Sequence, residues 1–570
     1  MFLPGRSIIC AIFFLFPSNN AIEAQQQRLG LPQDWTHQHV IFSAPQTPSA
    51  AAALAADPRY QLQAMRRSLV PRLPDESQVI ESALQFPARH RDWGQAMNNS
   101  AVNQTGLYAA KYSFNTSNPT PDCTNDYVVF TVNSSSSTAF NVVGFNNLYV
   151  NSGGTGFCSG KTAPTPLFAY TASRAGGAIG SSPTLSLDGT QIAFLEDSSP
   201  ANFIVLKWKA GNVTASGWPA PFNSSTMSNC TSSGAPCEYS VALSNSLAPP
   251  QSAFVDYSSD TAYAADGQGS IYAISPVFGG GQPVIKWSLK VGQQNPYTSP
   301  IYDSVSKNVF FADGLVKGYY VRTTSSSTGT CASGSPPCVG SPSPSLSTQP
   351  GTLTDSPIID STTGKVLFQS ANTGTNSSLE QFNNALALEQ IVNIGSATSQ
   401  IISTGTFDNK YLSNPANGKF YACGAGSNND PELYAAGFDA SGTMKTTVAG
   451  GPLALTSPPQ ATPCGPLTEV FNMTSAKDFL FLGVGTSCSS SIQGGCIQSF
   501  NITSAFPTAA AAQVAETSGV SGIIVDNVQS SSVTATNIYF ITIGNQNCTT
   551  YAGGTGTGNC AVKLTQNGLQ

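Results

Sequence analysis

Short apolar runs recur along the chain between polar, glycine-rich turns. The clearest copy of this pattern spans residues 181–211, which read as strand, tight turn, strand, loop and strand. Apolar runs of this length, bounded by turn residues, are typical of buried β-strands. Eight such runs align with the second strand of that copy, at residues 127–132, 191–196, 261–266, 308–313, 365–370, 419–424, 479–484 and 538–543.

A further apolar run follows each of these and predicts a third strand. These runs lie at residues 140–145, 203–208, 270–275, 318–322, 385–391, 433–438, 496–501 and 560–564. A repeat of short antiparallel strands predicts an all-β chain that folds as a single β-propeller. The number of copies favours eight four-stranded blades, with seven as the alternative if the last two copies merge.

One more strand-like run, residues 109–114, precedes the first copy. The last copy ends near Gln570 without an evident fourth strand. We therefore expect the propeller to be closed by an N-terminal strand, residues 109–114, that completes the last blade. Such a closure would protect both free sheet edges.

The N-terminus has the pattern of a targeting signal. Arg6 supplies a positive charge, residues 7–16 are apolar, and residues 21–24 form an acceptable cleavage site. We expect residues 1–24 to be a signal peptide, with a retained anchor as the alternative. Residues 25–106 then form an N-terminal arm, partly helical or irregular, and residues 107–570 form the propeller. The protein is expected to be secreted, periplasmic or on the cell surface, without a transmembrane span after cleavage.

Cysteine usage agrees with export. The chain has 13 cysteines, and the predicted signal peptide removes Cys10, which leaves an even number. Their spacing is too wide for a zinc site and favours six disulfides in an oxidising compartment. The expected pairs are Cys123 with Cys158, Cys230 with Cys237, Cys331 with Cys338, Cys423 with Cys464, Cys488 with Cys496, and Cys548 with Cys560.

Charged residues make up only 9% of the chain, and the net charge is −6. Only Arg174 and Arg322 among the arginines lie beyond residue 100, and no long basic run occurs. A nucleic-acid partner is therefore not expected, because phosphate recognition needs clustered positive charge. We expect a monomer.

Three groups of residues are candidates for chemistry. His37 and His39, with Asp34 and His90, would form a metal site if the first two lay on one face of a strand. Carboxylates at the ends of second strands would serve glycoside cleavage if they met at a funnel rim; these are Glu196, Asp266 and Asp313. Aspartates at strand turns would either bind calcium or cap the turns; these are Asp188, Asp256, Asp303, Asp360, Asp408 and Asp526.

For each group the structural role is favoured over the chemical one. We therefore assign no catalytic, cofactor-binding or metal-binding residue and expect no cofactor. The absence of histidine beyond residue 90 excludes a Ser-His-Asp centre built wholly from the repeats.

Residues 182–196, SPTLSLDGTQIAFLE, resemble the repeat of TolB-type and WD40-like bacterial propellers. Residues 262–275, AYAADGQGSIYAIS, are similar to a pyrroloquinoline-quinone-type blade but lack the ending of that repeat. The whole chain, including residues 34–43, 123–130 and 521–527, resembles a group of exported bacterial propeller proteins. These resemblances imply a fold and a compartment, and they supply no catalytic residues.

The sequence therefore favours a binding or interaction module for a protein or a glycan over an enzyme. The alternative is a carboxylate-based enzyme that cleaves glycans in the propeller funnel. Two acids about 5 to 10 Å apart in the funnel would favour the enzyme. A funnel lined by serine, threonine and apolar groups would favour the binding module.

Overall fold

The computed structural model describes residues 30–68, 90–97, 105–116, 121–132, 140–150, 157–158, 160–172, 177–211, 222–223, 230, 234–248, 251–291, 297–313, 317–346, 355–473, 476–526, 537–549 and 555–565. The predicted signal peptide lies outside these residues. No helix within them is long and apolar enough to cross a membrane.

Eight four-stranded antiparallel units make up most of the described chain. Their strands, from first to fourth, are Ala110–Ser113, Tyr127–Thr131, Val142–Asn146 and Thr165–Thr171 in unit 1; Thr184–Leu185, Gln191–Glu196, Asn202–Lys207 and Cys237–Ala242 in unit 2; Phe254–Asp256, Thr261–Ala265, Ser270–Ser275 and Val284–Lys290 in unit 3; Ile301–Asp303, Asn308–Ala312, Gly318–Arg322 and Cys338–Val339 in unit 4; Ile358–Asp360, Lys365–Ser370, Asn376–Asn383 and Leu388–Ser396 in unit 5; Thr406–Phe407, Lys419–Ala425, Pro431–Phe438 and Met444–Ala454 in unit 6; Thr468–Asn472, Lys477–Val484, Cys496–Asn501 and Ala512–Ala515 in unit 7; and Ile524–Asp526, Asn537–Ile541, Cys560–Thr565 and His90–Ala96 in unit 8.

The second strands coincide with the eight apolar runs, because these strands lie inside each sheet and are buried on both faces. Tyr127 and Phe168 of unit 1, for example, pack against Ile192 and Phe194 of unit 2 in one apolar cluster. Units 7 and 8 share a cluster in the same way. Sheets that bury their faces against the next copy define a propeller-type repeat fold.

Two strand predictions are wrong. Residues 109–114 do not join the last unit: strand Ala110–Ser113 pairs with Tyr127–Thr131 as the first strand of unit 1. The fourth strand of unit 8 is instead His90–Ala96, which pairs with Cys560–Thr565. The sequence of this strand, HRDWGQA, is polar and therefore does not show the apolar run used to predict strands. An outer strand does not need two apolar faces.

In unit 5, residues 385–391 are not the third strand. They span the turn between Asn376–Asn383 and Leu388–Ser396, where Leu386 adopts a φ of 56°. The true third strand contains the polar sequence NSSLEQFN, in which a regular apolar run is absent.

The twelve cysteines among the described residues lie in six pairs at disulfide distance, with Cα–Cα separations from 5.0 Å to 6.5 Å. The pairs are those suggested by the spacing in the sequence. Most turn aspartates cap the turn after the first strand, as predicted. Asp303, for example, accepts the backbone N–H of Val305 at 3.3 Å and of Ser306 at 2.8 Å.

The remaining strands are Leu31–Gln33, Val40–Ile41, Phe222–Asn223, Gln546–Thr549 and Thr555–Gly558. The helices are Thr36–His39, Pro48–Ala55, Pro58–Ser68 and Asn409–Ser413, with a 3-10 turn at Pro415–Asn417. The helix Pro48–Ala55 begins after Thr47, whose side chain accepts the Ala50 N–H at 3.2 Å, and proline occupies its first turn.

Candidate functional site

Residues 31–43, here called the plug segment, connect the first strands of units 1 and 5. Strand Leu31–Gln33 pairs antiparallel with Ala110–Ser113 of unit 1. Strand Val40–Ile41 pairs parallel with Ile358–Asp360 of unit 5. The helical turn Thr36–His39 joins the two strands. The plug segment therefore extends from one inner strand to another that lies four units further along the chain.

The side chains of the plug segment bind several other units. Gln38 donates from Nε2 to Thr468 Oγ1 at 3.0 Å and to the Ile523 carbonyl at 3.1 Å, and it accepts the Tyr108 hydroxyl at 3.0 Å. Trp35 donates from its indole nitrogen to Thr184 Oγ1 at 3.3 Å. Since these donors and acceptors are buried and satisfied, the helical turn has a fixed position among the inner strands.

A row of serines precedes the first strands of neighbouring units and connects them. The backbone N–H of Tyr108 donates to Ser182 Oγ at 3.0 Å, and the N–H of Ser182 donates to Ser252 Oγ at 2.8 Å. The N–H of Ser252 donates in turn to Ser299 Oγ at 2.8 Å. Ser182, Ser252 and Ser299, which we call the serine belt, repeat one position of the unit and link its copies.

A cavity of about 520 Å³ lies between the serine belt and the plug segment. Its volume falls within the range of small-molecule pockets, roughly 300 to 1,000 Å³. Ile401 lines the cavity and is 45% exposed, which places an opening beside it. The lining consists of Trp35, His39, Thr105, Gly106, Tyr108, Ser252, Ser299, Asp355, Ser356, Ile401, Ser403, Pro463 and Ile543.

One carboxylate, that of Asp355, lies among the described residues of this lining. It accepts the backbone N–H of Ser356 at 2.8 Å and of Thr404 at 2.9 Å. Burial lowers the pKa of His39, although the charge of Asp355 acts in the opposite direction. His39 is therefore neutral at neutral pH, and its Nδ1 lies 3.2 Å from the Pro357 carbonyl, to which it donates. The cavity thus combines the rings of Trp35, His39 and Tyr108 with several hydroxyls and one carboxyl group.

The hypothesis that His37 and His39 share one face of a strand is wrong. Both lie on the helical turn Thr36–His39, where residues two apart point in different directions. His39 lines the 520 Å³ cavity, whereas His37 lines a separate, smaller one beside Arg66. The part of the chain that the structure describes holds no group of three metal-ligating side chains. The side chain of His90 lies outside the described residues.

The carboxylates at the ends of second strands do not line this cavity. Glu196 accepts the Gly177 N–H and the Asn202 side chain, each at 3.0 Å. Asp266 accepts the Tyr272 hydroxyl at 2.7 Å, and Asp313 accepts the Tyr319 hydroxyl at 2.9 Å. Each acid holds its own sheet together, so the three do not meet as the glycoside-cleavage hypothesis required.

Sequence reasoning missed the residues that build the cavity, namely Trp35, Tyr108 and Asp355. A signal for the serine belt was present, since serine stands four residues before the turn aspartate in residues 252–256, 299–303 and 356–360. No comparable signal marks Asp355, which lies just before the repeated position.

No protein-family model and no curated protein matches the chain. Solved structures with a similar fold include BamB from Moraxella catarrhalis, at 10% identity and a TM-score of 0.40, covering 84% of this chain and 98% of that one. Sqt1 from Chaetomium thermophilum matches at 12% identity and a TM-score of 0.46, with the same coverage of 84% and 98%. Sqt1 from Saccharomyces cerevisiae matches at 10% identity and a TM-score of 0.43, covering 83% and 98%.

Proposed function

We propose that this protein is an exported eight-bladed β-propeller that binds a sugar residue of a glycan in the 520 Å³ cavity. In this proposal strand His90–Ala96 closes the ring of blades and the protein acts as a monomer. Six cysteine pairs at disulfide distance support an oxidising, extracytoplasmic compartment.

The observation that carries the proposal is the convergence of aromatic rings, hydroxyls and one carboxylate on a single cavity. A sugar ring presents apolar C–H faces and hydroxyl edges. Trp35 and Tyr108 offer apolar surface to such a face, and Asp355 together with Ser356 offers acceptors to the hydroxyls. A few polar groups placed in a largely apolar cavity give a ligand its orientation.

Cleavage of the glycan is not favoured by this arrangement. Glycosidases use a pair of carboxyl groups, typically about 5 to 9.5 Å apart. Among the described lining residues Asp355 is the only acid. Binding without cleavage is therefore the function that the cavity supports best.

A glycan array, followed by calorimetric titration of the best glycan, tests the proposal. Ile401→Trp should block the opening and abolish binding, whereas Ile391→Trp should leave affinity unchanged. Ile391 is a matched control, because it is also 45% exposed but lies on the fourth strand of unit 5. Asp355→Asn should weaken binding by about tenfold through the loss of a charge-assisted hydrogen bond.

Two results would overturn the proposal: no glycan on the array binds, or the glycan binds Ile401→Trp as well as it binds the wild type. Melting curves of the three variants should accompany the titrations, because Asp355 also holds the backbone of Thr404. A variant that melts like the wild type and still loses affinity has lost a ligand contact.

A protein ligand is the second candidate, and one observation favours it. The fourth strand of unit 3, Val284–Lys290, exposes Val284 by 45% and Ile285 by 37% on an outer edge. Val284→Lys would remove binding at this edge and leave binding in the cavity intact.

A further inference from the structure

A second cavity, of about 110 Å³, adjoins the plug segment and shares no lining residue with the first. Gln33 and His37 of the plug segment line it together with Arg66 of helix Pro58–Ser68. The first strands of units 6 and 7 supply further walls, including Phe407 and Glu469. This cavity is small, and an arginine contributes to its surface.

Arg66 differs from its two neighbours in the same helix. Arg59 donates to Thr36 Oγ1 at 2.6 Å and lies over the Phe254 ring at 4.1 Å. Arg67 donates to Asn409. Arg66 forms neither a hydrogen bond nor an ion pair with any residue in the described ranges. The guanidinium donors of Arg66 therefore have no acceptor within the part of the chain that the structure describes.

Arg66 carries its charge at neutral pH, although burial lowers its pKa to about 10. The charge of Asp34 raises the pKa of Arg66, and the Asp34 carboxylate accepts hydrogen bonds from Thr36 and Leu185. Burial and the charge of Arg66 lower the pKa of His37, which is therefore neutral. The unpaired positive charge at this wall is consequently that of one guanidinium.

Glu469, which lines the same cavity, does not offset the positive charge of Arg66. Burial, together with the neighbouring Asp478 carboxylate, raises the pKa of Glu469 well above its ordinary value. This shift favours the protonated form of Glu469, and its Oε1 has no hydrogen-bond partner among the described atoms. Arg67 also lines the cavity, and the carboxylates of Asp478 and Asp408 act on its charge.

The Gln33 side chain provides an independent sign of a missing ligand. Gln33 is only 2% exposed, and its amide nitrogen is buried without a hydrogen-bond partner within the described part of the chain. A buried amide donor without an acceptor costs free energy, on the order of 1 to 3 kcal/mol. An acceptor within the cavity would remove this cost.

We propose that Arg66 and Gln33 bind the carboxylate of a small monocarboxylic acid in this cavity. A guanidinium matches the two oxygens of a carboxylate with two parallel hydrogen bonds. A monoanion balances the one unpaired charge, whereas a dianion such as sulfate would bury an excess negative charge. The apolar part of the acid lies against Ile41, Phe407 and Val470, which line the same cavity.

Calorimetric titration of the whole protein with butyrate tests this site. Butyramide, which has the same shape without the charge, and sulfate at equal ionic strength serve as ligand controls. Butyrate should bind, and butyramide and sulfate should bind at least about tenfold more weakly, the difference that a charge-assisted pair makes. This comparison requires no variant and cannot be confused with misfolding.

Arg66→Gln should lower the affinity for butyrate by about tenfold or more. Arg322→Gln is the matched control, because Arg322 donates to the loop carbonyls of Ser325 and Ser327. That variant removes the same charge elsewhere and should leave the affinity unchanged.

The inference is overturned if butyrate does not bind, if butyramide or sulfate binds as well as butyrate, or if both arginine variants lose affinity equally. It does not rest on the proposed glycan site. Because the two cavities share no lining residue, Ile401→Trp should not alter butyrate binding.

Discussion

Lys111 and Asp526 form an ion pair of 3.0 Å in which both side chains are fully buried. Lys111 lies on the first strand of unit 1 and Asp526 on the first strand of unit 8. The Tyr149 hydroxyl accepts from Lys111 at 3.1 Å and lies 3.0 Å from a carboxylate oxygen of Asp126. A buried, hydrogen-bonded charge network therefore joins the two ends of the repeat.

Removal of Lys111 should be costly, because two buried carboxylates lose the lysine beside them, Asp526 at 3.0 Å and Asp126 at 3.8 Å. Lys111→Met is expected to lower the free energy of unfolding by about 3 to 5 kcal/mol. Lys365→Met should cost no more than about 1 kcal/mol, since Lys365 and Glu389 form a partly exposed pair at 2.7 Å. Urea unfolding followed by fluorescence measures both values.

The double variant Lys111→Met/Asp526→Leu compares the loss of the whole ion pair with the loss of one partner. It should be more stable than Lys111→Met but less stable than the wild type, because the Asp526 carboxylate is gone while Asp126, which lies 3.8 Å from Lys111 Nζ, still loses its lysine. Equal losses for Lys111→Met and Lys365→Met would contradict the explanation.

Asp526 also shows what the sequence pattern cannot predict, namely the partner of a buried charge. It follows a strand as Asp256 and Asp303 do, and the sequence predicts the same turn cap for all three. Asp303 is a cap, whereas the residues that follow Asp526 lie outside the described part of the chain; Asp526 binds a lysine 415 residues earlier in the chain. The local pattern of apolar residues is enough to identify a strand. The partner of a buried charged side chain depends on which distant unit packs against that strand.

The candidate site has the same limitation. The second strands were predictable because each one is a continuous apolar run that the fold buries on both faces. The 520 Å³ cavity combines Trp35 of the plug segment, Tyr108 of unit 1 and Asp355 before unit 5. No local pattern relates three residues so far apart in the chain. The three residues meet only because the fold places these parts of the chain next to one another.

Glu380 should make the stability of the protein depend on pH. It lies on strand Asn376–Asn383, is 2% exposed, and accepts the Ser378 hydroxyl at 2.6 Å. Burial raises the pKa of Glu380 to about 8. In the unfolded chain the pKa is about 4.3, so the folded protein retains a proton that the unfolded chain has lost. The stabilisation from this proton is complete below about pH 4 and is lost as the pH rises to about 8.

Glu380→Gln keeps the shape of the protonated acid and does not titrate. Between pH 5 and pH 8.5 the wild type should lose roughly 3 to 4 kcal/mol of unfolding free energy relative to the variant. Guanidinium titrations of both proteins at the two pH values give this difference. If the two proteins change in parallel with pH, the Glu380 carboxyl is not the group responsible.

Strand His90–Ala96 should be essential for the last sheet. Its Trp93 ring lies 6.2 Å from Phe145 of unit 1 and 6.0 Å from Tyr539 of unit 8, and its Asp92 pairs with the fully buried Lys563 at 2.9 Å. A chain that begins at residue 98 should therefore melt well below one that begins at residue 90 and should self-associate, because strand Cys560–Thr565 becomes an exposed edge and Lys563 loses the Asp92 carboxylate. Both truncations lack the plug segment, so the comparison isolates the strand.

Differential scanning calorimetry and light scattering measure the two effects, and an excess of a peptide of residues 88–97 should restore part of the lost melting temperature. Equal melting of the two truncations would show that the sheet is complete without this strand.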